Sequence, residues 1–303
     1  MTVEKYKLNE LKELIESGKT YRLFKPFCFK GNTLINIEKI LTVNDINKIE
    51  GKIFTPIEVV STVISDANSK LRKSIIENAI KILKTSKLFN VDEKHHLDFE
   101  KRKECEKIIS GVIDGNHIIA HLLINVYKHS KKLFIHSINV GIISLIIDLA
   151  LQEIEKHHDG LRSEIVLTGG LLHDIGFIGL HSTLVNKLRI DYDGKEEKIY
   201  KTYPDAGKKM LIKYKNNVRS EVIKIIYQHQ ERLNGSGFPN ELHDIYELAL
   251  IIGLADEFDL TISGEITNTQ KSPQEIMSKI SKMSNAFGEN IINSFYRSFR
   301  YLT

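Results

Sequence analysis

The run Ile165–Leu172, followed at once by His173–Asp174–Ile175–Gly176, limits more than any other stretch what this chain can fold into. An apolar, helix-like segment ends at an imidazole beside a carboxylate, and a glycine follows where helices tend to stop. Neighbouring residues on a helix point to different faces, so both groups reach one ion only at a helix end or between packed helices. Imidazole with carboxylate suits first-row divalent metals, and the second oxygen of an aspartate can bridge to another ion. Taken alone, the dipeptide reads first as a buried histidine hydrogen-bonded to its neighbour. The residues at the other helix ends therefore decide the matter.

Helical periodicity dominates from Asp66 onward. Leu71, Ile75, Ala79 and Ile82 mark one amphipathic helix, and a second, strongly charged one runs from the polar stretch Asn90–Asp98 to about Gly111–Gly115. Both read as a helical connector over residues 66–115. His95 and His96, in the polar stretch, and His157 and His158, before Asp159–Gly160, read as surface histidines. A further helical region opens near Asn116 and carries His136 within the otherwise apolar run Phe134–Gly141. A lone histidine there is usually a satisfied core residue. With His173–Asp174 one helix downstream it becomes a candidate ligand, because helix-borne histidines that meet in a bundle core can cage a metal. His229 lies near the end of another helix, just before the glycine-rich loop Asn234–Pro239. Asp256 lies inside the buried-type run Ile251–Phe258, where a carboxylate is costly unless it is paired or holds a metal.

The first 65 residues differ in kind. Leu8, Leu11, Leu14 and Ile15 repeat at helical spacing up to Gly18; Tyr21–Ile37 reads as a hairpin turning at Gly31–Asn32; Thr42 can cap a short helix ending at Gly51; and Ile53–Ile64 reads as extended. This mixed α/β unit of roughly 65 residues is small for a stable core of its own, so it is expected to pack on the helical remainder of the chain. The fold class expected is mainly α: a small mixed unit at 1–65, the connector, and an all-helical domain over 116–303.

Charge and cysteine usage narrow the function. The 43 bases and 39 acids are spread along the chain without a basic block that would track a phosphate backbone, so a nucleic-acid polymer is not the expected partner. Two distant cysteines, Cys28 and Cys105, exclude a disulfide scaffold and fit a reducing compartment. The start Met1–Leu8 lacks a signal-peptide core, and Val140–Leu151, interrupted by Asp148, is too short to span a bilayer. A cytoplasmic protein is expected.

Taken together and in order, His136–Ser137 with Val140, Leu171–Gly176, His229 before Glu231–Arg232 and Gly235–Pro239, and Ala255–Asp256 with Asp259 resemble the HD-GYP family of the HD phosphohydrolases. The likeness covers roughly Asn116 to Phe287, with further short words at Asn186–Lys187 and Ser272–Glu275. It implies an all-helical catalytic domain, a divalent transition-metal centre of Fe or Mn, and hydrolysis of cyclic di-GMP to pGpG or GMP. It also makes the first section a variable N-terminal unit. By the same resemblance His136, His173, Asp174 and Asp256 form a complete one-ion set, Asp174 bridges, and His229 remains from a second site. Asp174 and His229 are then the candidate catalytic residues.

The departures are ordered too. Phe177 stands where the family has a lysine, Tyr203 and Gln230 where it has histidines, Phe238 where it has the loop tyrosine, and Lys132 where some members place a glutamate ligand. Near Glu265 the family usually places a phosphate-holding arginine. Tyrosine and glutamine are poor transition-metal ligands beside imidazole, so the first site is expected to fill and the second to be weak or absent. Three classes stay open: a phosphodiesterase slowed by about a hundredfold or more; a degenerate cyclic di-GMP receptor or scaffold; and a one-metal hydrolase of another phosphoester. The loop Asn234–Pro239 is expected to support a protein partner or the mouth of the site.

Overall fold

The computed structural model describes residues 3–17, 21–29, 32–35, 41–53, 55–61, 66–85, 99–180, 182–185, 187–264 and 271–300. His95, His96, Asn186 and Glu265 lie outside them. The chain divides into two compact units, Met1–Lys70 and Leu71–Thr303.

In the first unit the elements run β1 (Val3–Tyr6), α1 (Leu8–Glu16), β2 (Tyr21–Leu23), β3 (Phe27–Phe29), β4 (Asn32–Ile35), α2 (Val43–Ile49) and β5 (Ile57–Ser61). The hairpin is narrower than the sequence suggests, because only β3 and β4 pair with each other. β2 instead joins β5, which also pairs with β1, giving an antiparallel sheet in the order β1-β5-β2. Thr42 caps α2 in a capping box: its hydroxyl oxygen accepts from the Asp45 N–H, and the Asp45 carboxylate accepts from the Thr42 N–H. Leu11, Ile46 and Ile49 from the helices and Tyr21, Leu23 and Val59 from the sheet close a core within the unit.

The second unit is helical: α3 (Asp66–Thr85, starting in the first unit), α4 (Phe99–Gly115), α5 (His117–His129), α6 (Lys131–Glu155), α7 (Gly160–Leu172), α8 (Ser182–Val185), α9 (Gly194–Tyr200), α10 (Tyr203–Ile212), α11 (Ser220–Gln228), α12 (Glu247–Ser263), α13 (Pro273–Ile280), α14 (Ser284–Phe287) and α15 (Glu289–Phe299). Ile75, Ala79 and Leu83 of α3 and Cys105, Ile109 and Ile113 of α4 belong to its core, so the connector's apolar stripe is used within this unit.

α6 is the central element. Ser130 caps it by accepting from the Leu133 N–H, and the helix is buried on nearly every side against α5, α7, α12 and α15. At 25 residues it is longer than the apolar run suggests, and taken singly it is the one helix among the described residues long and apolar enough to cross a membrane. The apolar window is 89% buried inside the protein, which marks it as a core helix by packing. Asp148, the charge within that run, is satisfied internally: Arg162 Nε donates to Oδ1 at 2.6 Å, and Gln152 Nε2 and Ser163 Oγ donate to Oδ2. A buried carboxylate so fully hydrogen-bonded locks α6 to α7.

Candidate metal centre and its cleft

Side chains from four helices converge where α6, α7, α11 and α12 pack together. His136 comes from the second turn of α6, His173 and Asp174 from the residues just after α7, His229 from the C-cap of α11 and Asp256 from the middle of α12. All of them are buried.

Gly176 permits this meeting, though not as a helix stop. α7 ends at Leu172, and the chain continues into a 3₁₀ turn over Ile175–Gly179. A Cβ at Gly176 would sit 1.9 Å from the Tyr203 carbonyl oxygen, so only glycine lets the start of α10 approach.

The histidine tautomers follow from hydrogen bonding. His136 Nδ1–H donates to Asp259 Oδ2 at 2.7 Å, His173 Nδ1–H to the Gly170 carbonyl at 2.8 Å and His229 Nδ1–H to the Ile226 carbonyl at 2.9 Å. Each ring in its neutral form therefore turns a bare Nε2 inward. His136 Nε2 and His173 Nε2 lie 3.2 Å apart, and Asp256 Oδ1 is 3.1 Å and 3.7 Å from them. Asp174 Oδ2 lies 3.5 Å from the first nitrogen and 3.3 Å from the second.

Lone pairs do not face each other at such distances without a cation between or beside them. Ligand atoms about 2.0–2.2 Å from one ion stand roughly 3.0–3.6 Å apart, the spacing found here. Asp174 Oδ1 and Asp256 Oδ1 are buried without a hydrogen-bond partner, the condition of atoms reserved for a metal. The donor set fits a divalent ion. His136, His173 and Asp256 form the tightest group, their ligand atoms all within 4.8 Å of one another, and Asp174 flanks it.

The electrostatics agree. Burial works against a charge on His136, but hydrogen bonds and charges from Asp256 and Asp259 outweigh it and hold its pKa well above the ordinary value. Burial likewise opposes the charged form of His173, yet Asp174 and Asp256 lift it to about 9. Asp256 is held well below the usual carboxylate range by the two imidazoles, against its burial.

His229 stands apart from the group. Burial and the neighbouring His173 push it down to about 4, so it is neutral. Its Nε2 accepts the Tyr203 hydroxyl at 2.7 Å and lies 4.0 Å from Asp174 Oδ1. Burial and the nearby Asp174 charge push the Tyr203 phenol well above its ordinary value, which keeps it a donor. Gln230 Nε2 donates to Asp256 Oδ2 at 2.6 Å. Tyr203 thus occupies the inward lone pair of His229, and Gln230 one oxygen of Asp256. Phe177 stacks on Tyr203 at 4.2 Å with 17° between the ring planes, so two of the departures pack directly on each other.

Sequence reasoning gave no role to Asp259 and Asn139. Asn139 Nδ2 donates to Asp259 Oδ1 at 2.9 Å, so the carboxylate that fixes the His136 tautomer is itself held. Spacing carried the signal: Asn139 follows His136 by three and Asp259 follows Asp256 by three, which places each on its ligand's helix face.

A small cleft open to solvent, about 70 Å³, gives onto the cluster. His136, Asp174 and Asp256 line it together with Phe177, Tyr200 and Tyr203 and with the cations Lys132, Lys187 and Arg189. The segment just after the loop Asn234–Pro239 is anchored by the buried Glu231 carboxylate, which accepts from the Asn240 and Leu242 N–H groups. Phe238 turns toward the cleft aromatics, 5.7 Å from Tyr200 and 6.3 Å from Tyr203 between ring centroids.

Helices that deliver histidines and aspartates from their ends into one buried cluster define an HD-type architecture, and residues 128–291 match the HD domain family. The chain belongs to that family. A cyclic di-GMP phosphodiesterase of Thermotoga maritima is 27% identical over 135 residues, 44% of this chain and 36% of that protein. The cyclic di-GMP phosphodiesterase PA4108 of Pseudomonas aeruginosa is 26% identical over 182 residues, 58% of this chain and 41% of that protein. The chain thus spans well under two thirds of the length of these relatives. Among solved structures, Bd1817, a HDG"Y"P protein from Bdellovibrio bacteriovorus, has 16% identity and a TM-score of 0.49 over 93% of this chain and 94% of that one.

Proposed function

We propose that this chain is a cyclic di-GMP phosphodiesterase that works with one divalent ion, Fe²⁺ or Mn²⁺, and turns over slowly. The observation that carries the reading is the tautomer-fixed set His136, His173, Asp174 and Asp256 at a cleft lined by cations. His136, His173, Asp174 and Asp256 would hold the ion, which when bound would supply Lewis acidity at the site. Asp259 keeps the His136 proton on Nδ1 and so keeps Nε2 free. His229 and Tyr203 form a neutral pair beside Asp174, where His229 positions the phenol. With the inward lone pair of His229 taken by Tyr203 and Phe177 in place of a lysine, less charge stabilisation is left, which corresponds to a loss of about 100–1000-fold in rate for each such donor.

The packed Phe177–Tyr203 stack favours a second reading, a receptor that binds the nucleotide without turning it over. A one-metal hydrolase of another phosphoester is the third. Two free cysteines support a cytoplasmic setting. The exposed residues of the Asn234–Pro239 loop are the proposed protein contact.

The test is metal content per chain together with turnover of cyclic di-GMP and of a phosphoester panel in Mn²⁺ and in Fe²⁺. One ion with slow release of pGpG or GMP supports the phosphodiesterase. Tight binding without product points to the receptor, and turnover of another ester alone to the third reading.

A further inference from the structure

A cyclic dinucleotide carries two phosphates, and the metal centre can take only one of them. The other must lie along the cleft, past the carboxylates of Asp174 and Asp256, and it needs a cation there. Position 177 cannot supply one, since Phe177 is buried in the aromatic stack.

Arg189 can. It opens the short 3₁₀ turn Arg189–Asp191 and lines the same cleft as His136, Asp174 and Asp256. Its guanidinium lies 4.5 Å over the Tyr200 ring, and Nη2 donates to Glu197 Oε1 at 3.2 Å. Tyr200 in turn meets Phe177 at 5.7 Å and Tyr203 at 5.3 Å, so the guanidinium is braced by the aromatic group that fills the second-site region. Its Nε and Nη1 make no hydrogen bond among the described residues, and the side chain is 39% exposed. A planar guanidinium, held in one pose with N–H groups open to a cleft, suits a phosphate oxygen pair better than a mobile ammonium does. Lys187, two residues earlier, lines the cleft too but is tied to Glu196 at 2.6 Å.

Resting on the nucleotide reading above, we propose that Arg189 is the phosphate-binding residue of the cleft. It takes the phosphate that does not sit at the metal centre, with Glu197 as its counter-ion in the unliganded chain.

The test is calorimetric titration of the full chain, without added metal, with cyclic di-GMP and separately with GMP. Arg189→Ala is expected to weaken cyclic di-GMP binding about tenfold or more, and Arg189→Lys to recover only part, because the charge returns without the fork. Glu197→Gln, which releases the guanidinium without removing it, is expected to tighten binding about threefold. A merely structural role for the Arg189–Glu197 pair predicts the opposite sign for that variant. Should the parent bind cyclic di-GMP and Arg189→Ala bind it equally well, or Glu197→Gln weaken it, the assignment of Arg189 falls and the nucleotide reading stands. If the parent binds GMP but not cyclic di-GMP, the cyclic dinucleotide reading falls and the role of Arg189 at a second phosphate falls with it. A parent that binds neither overturns both.

Discussion

The two sides of the buried cluster treat the same kind of atom in opposite ways. On the α6/α7/α12 side, imidazole nitrogens and carboxylate oxygens face one another with no proton fixed between them, at 3.1–3.7 Å. On the α10/α11 side, donors meet two such lone pairs, Tyr203 donating to His229 and Gln230 to Asp256, while Asp174 Oδ1 has no hydrogen-bond partner among the described residues. A buried polar atom is satisfied either by a hydrogen bond or by a cation, and the first side carries a donor set that fits a cation. The substitutions on the second side are therefore mutually consistent. Tyr203 caps His229 and stacks on Phe177, so the His229 ring has both nitrogens hydrogen-bonded.

The largest expected effect comes from breaking the first side. Asp174→Ala removes the carboxylate that flanks both imidazoles and reaches toward His229. Metal content measured by elemental analysis is expected to fall from about one ion per chain to near zero, and turnover by at least ~1000-fold. Unchanged metal in that variant, or none in carefully prepared parent protein, would remove Asp174 from the set.

Asp259→Asn is next. It keeps the shape of the side chain but lets an amide meet His136 Nδ1, which favours the tautomer with the proton on Nε2. Competition against a chelator is expected to show metal affinity weaker by about 10–100-fold, with the helical circular dichroism retained. Equal affinity would make Asp259 a packing residue only.

Much of the first side was legible in the sequence, and the reason is local. His173 and Asp174 end one apolar run, and His136 and Asp256 interrupt two others, so each stands out against a helical pattern. What those residues touch is long-range. No periodicity shows that His136 meets Asp259, 123 positions away, or that Tyr203 meets His229. Gly176 looked like a helix stop, yet its role is the close approach of the Tyr203 carbonyl, a contact the local sequence does not encode. The same limit holds in the first unit. Tyr21–Leu23 has the β-rich composition of a hairpin arm, but it pairs with β5, nearly forty positions on, and the charged strand Val3–Tyr6 shows no alternation at all.

The double variant Tyr203→His with Gln230→His would turn the second side back into the first. Two imidazoles then replace a phenol and an amide beside His229 and Asp174. Metal content near two ions per chain and turnover of cyclic di-GMP faster by about tenfold are expected, and each single change should do far less than half of this, because one added ligand still leaves an ion poorly held. If the parent already carries two ions, or the double variant gains neither metal nor rate, other ligands build the second site. Losing the Phe177–Tyr203 stack should also lower the melting temperature, an independent sign that the aromatic pair and the second ion are alternatives.

The smallest effect tests where the second side ends. Phe238 is half-buried and meets Tyr200 and Tyr203 by ring edges and tilted faces, while Glu231 holds the segment just after the loop by two backbone N–H groups. Because the Glu231 anchor does not involve the phenyl ring, Phe238→Ala should leave the loop folded and remove only the ring's contact with the cleft. That contact is of a kind worth about 0.5–1.5 kcal/mol, which amounts to a change in nucleotide affinity of roughly two- to tenfold. Titration with cyclic di-GMP reads it directly. A loss in that range makes Phe238 part of the cleft mouth. No change in nucleotide affinity, with a partner interaction weakened instead, assigns the ring to a docking contact, and no change in either leaves the loop as a plain connection between α11 and α12.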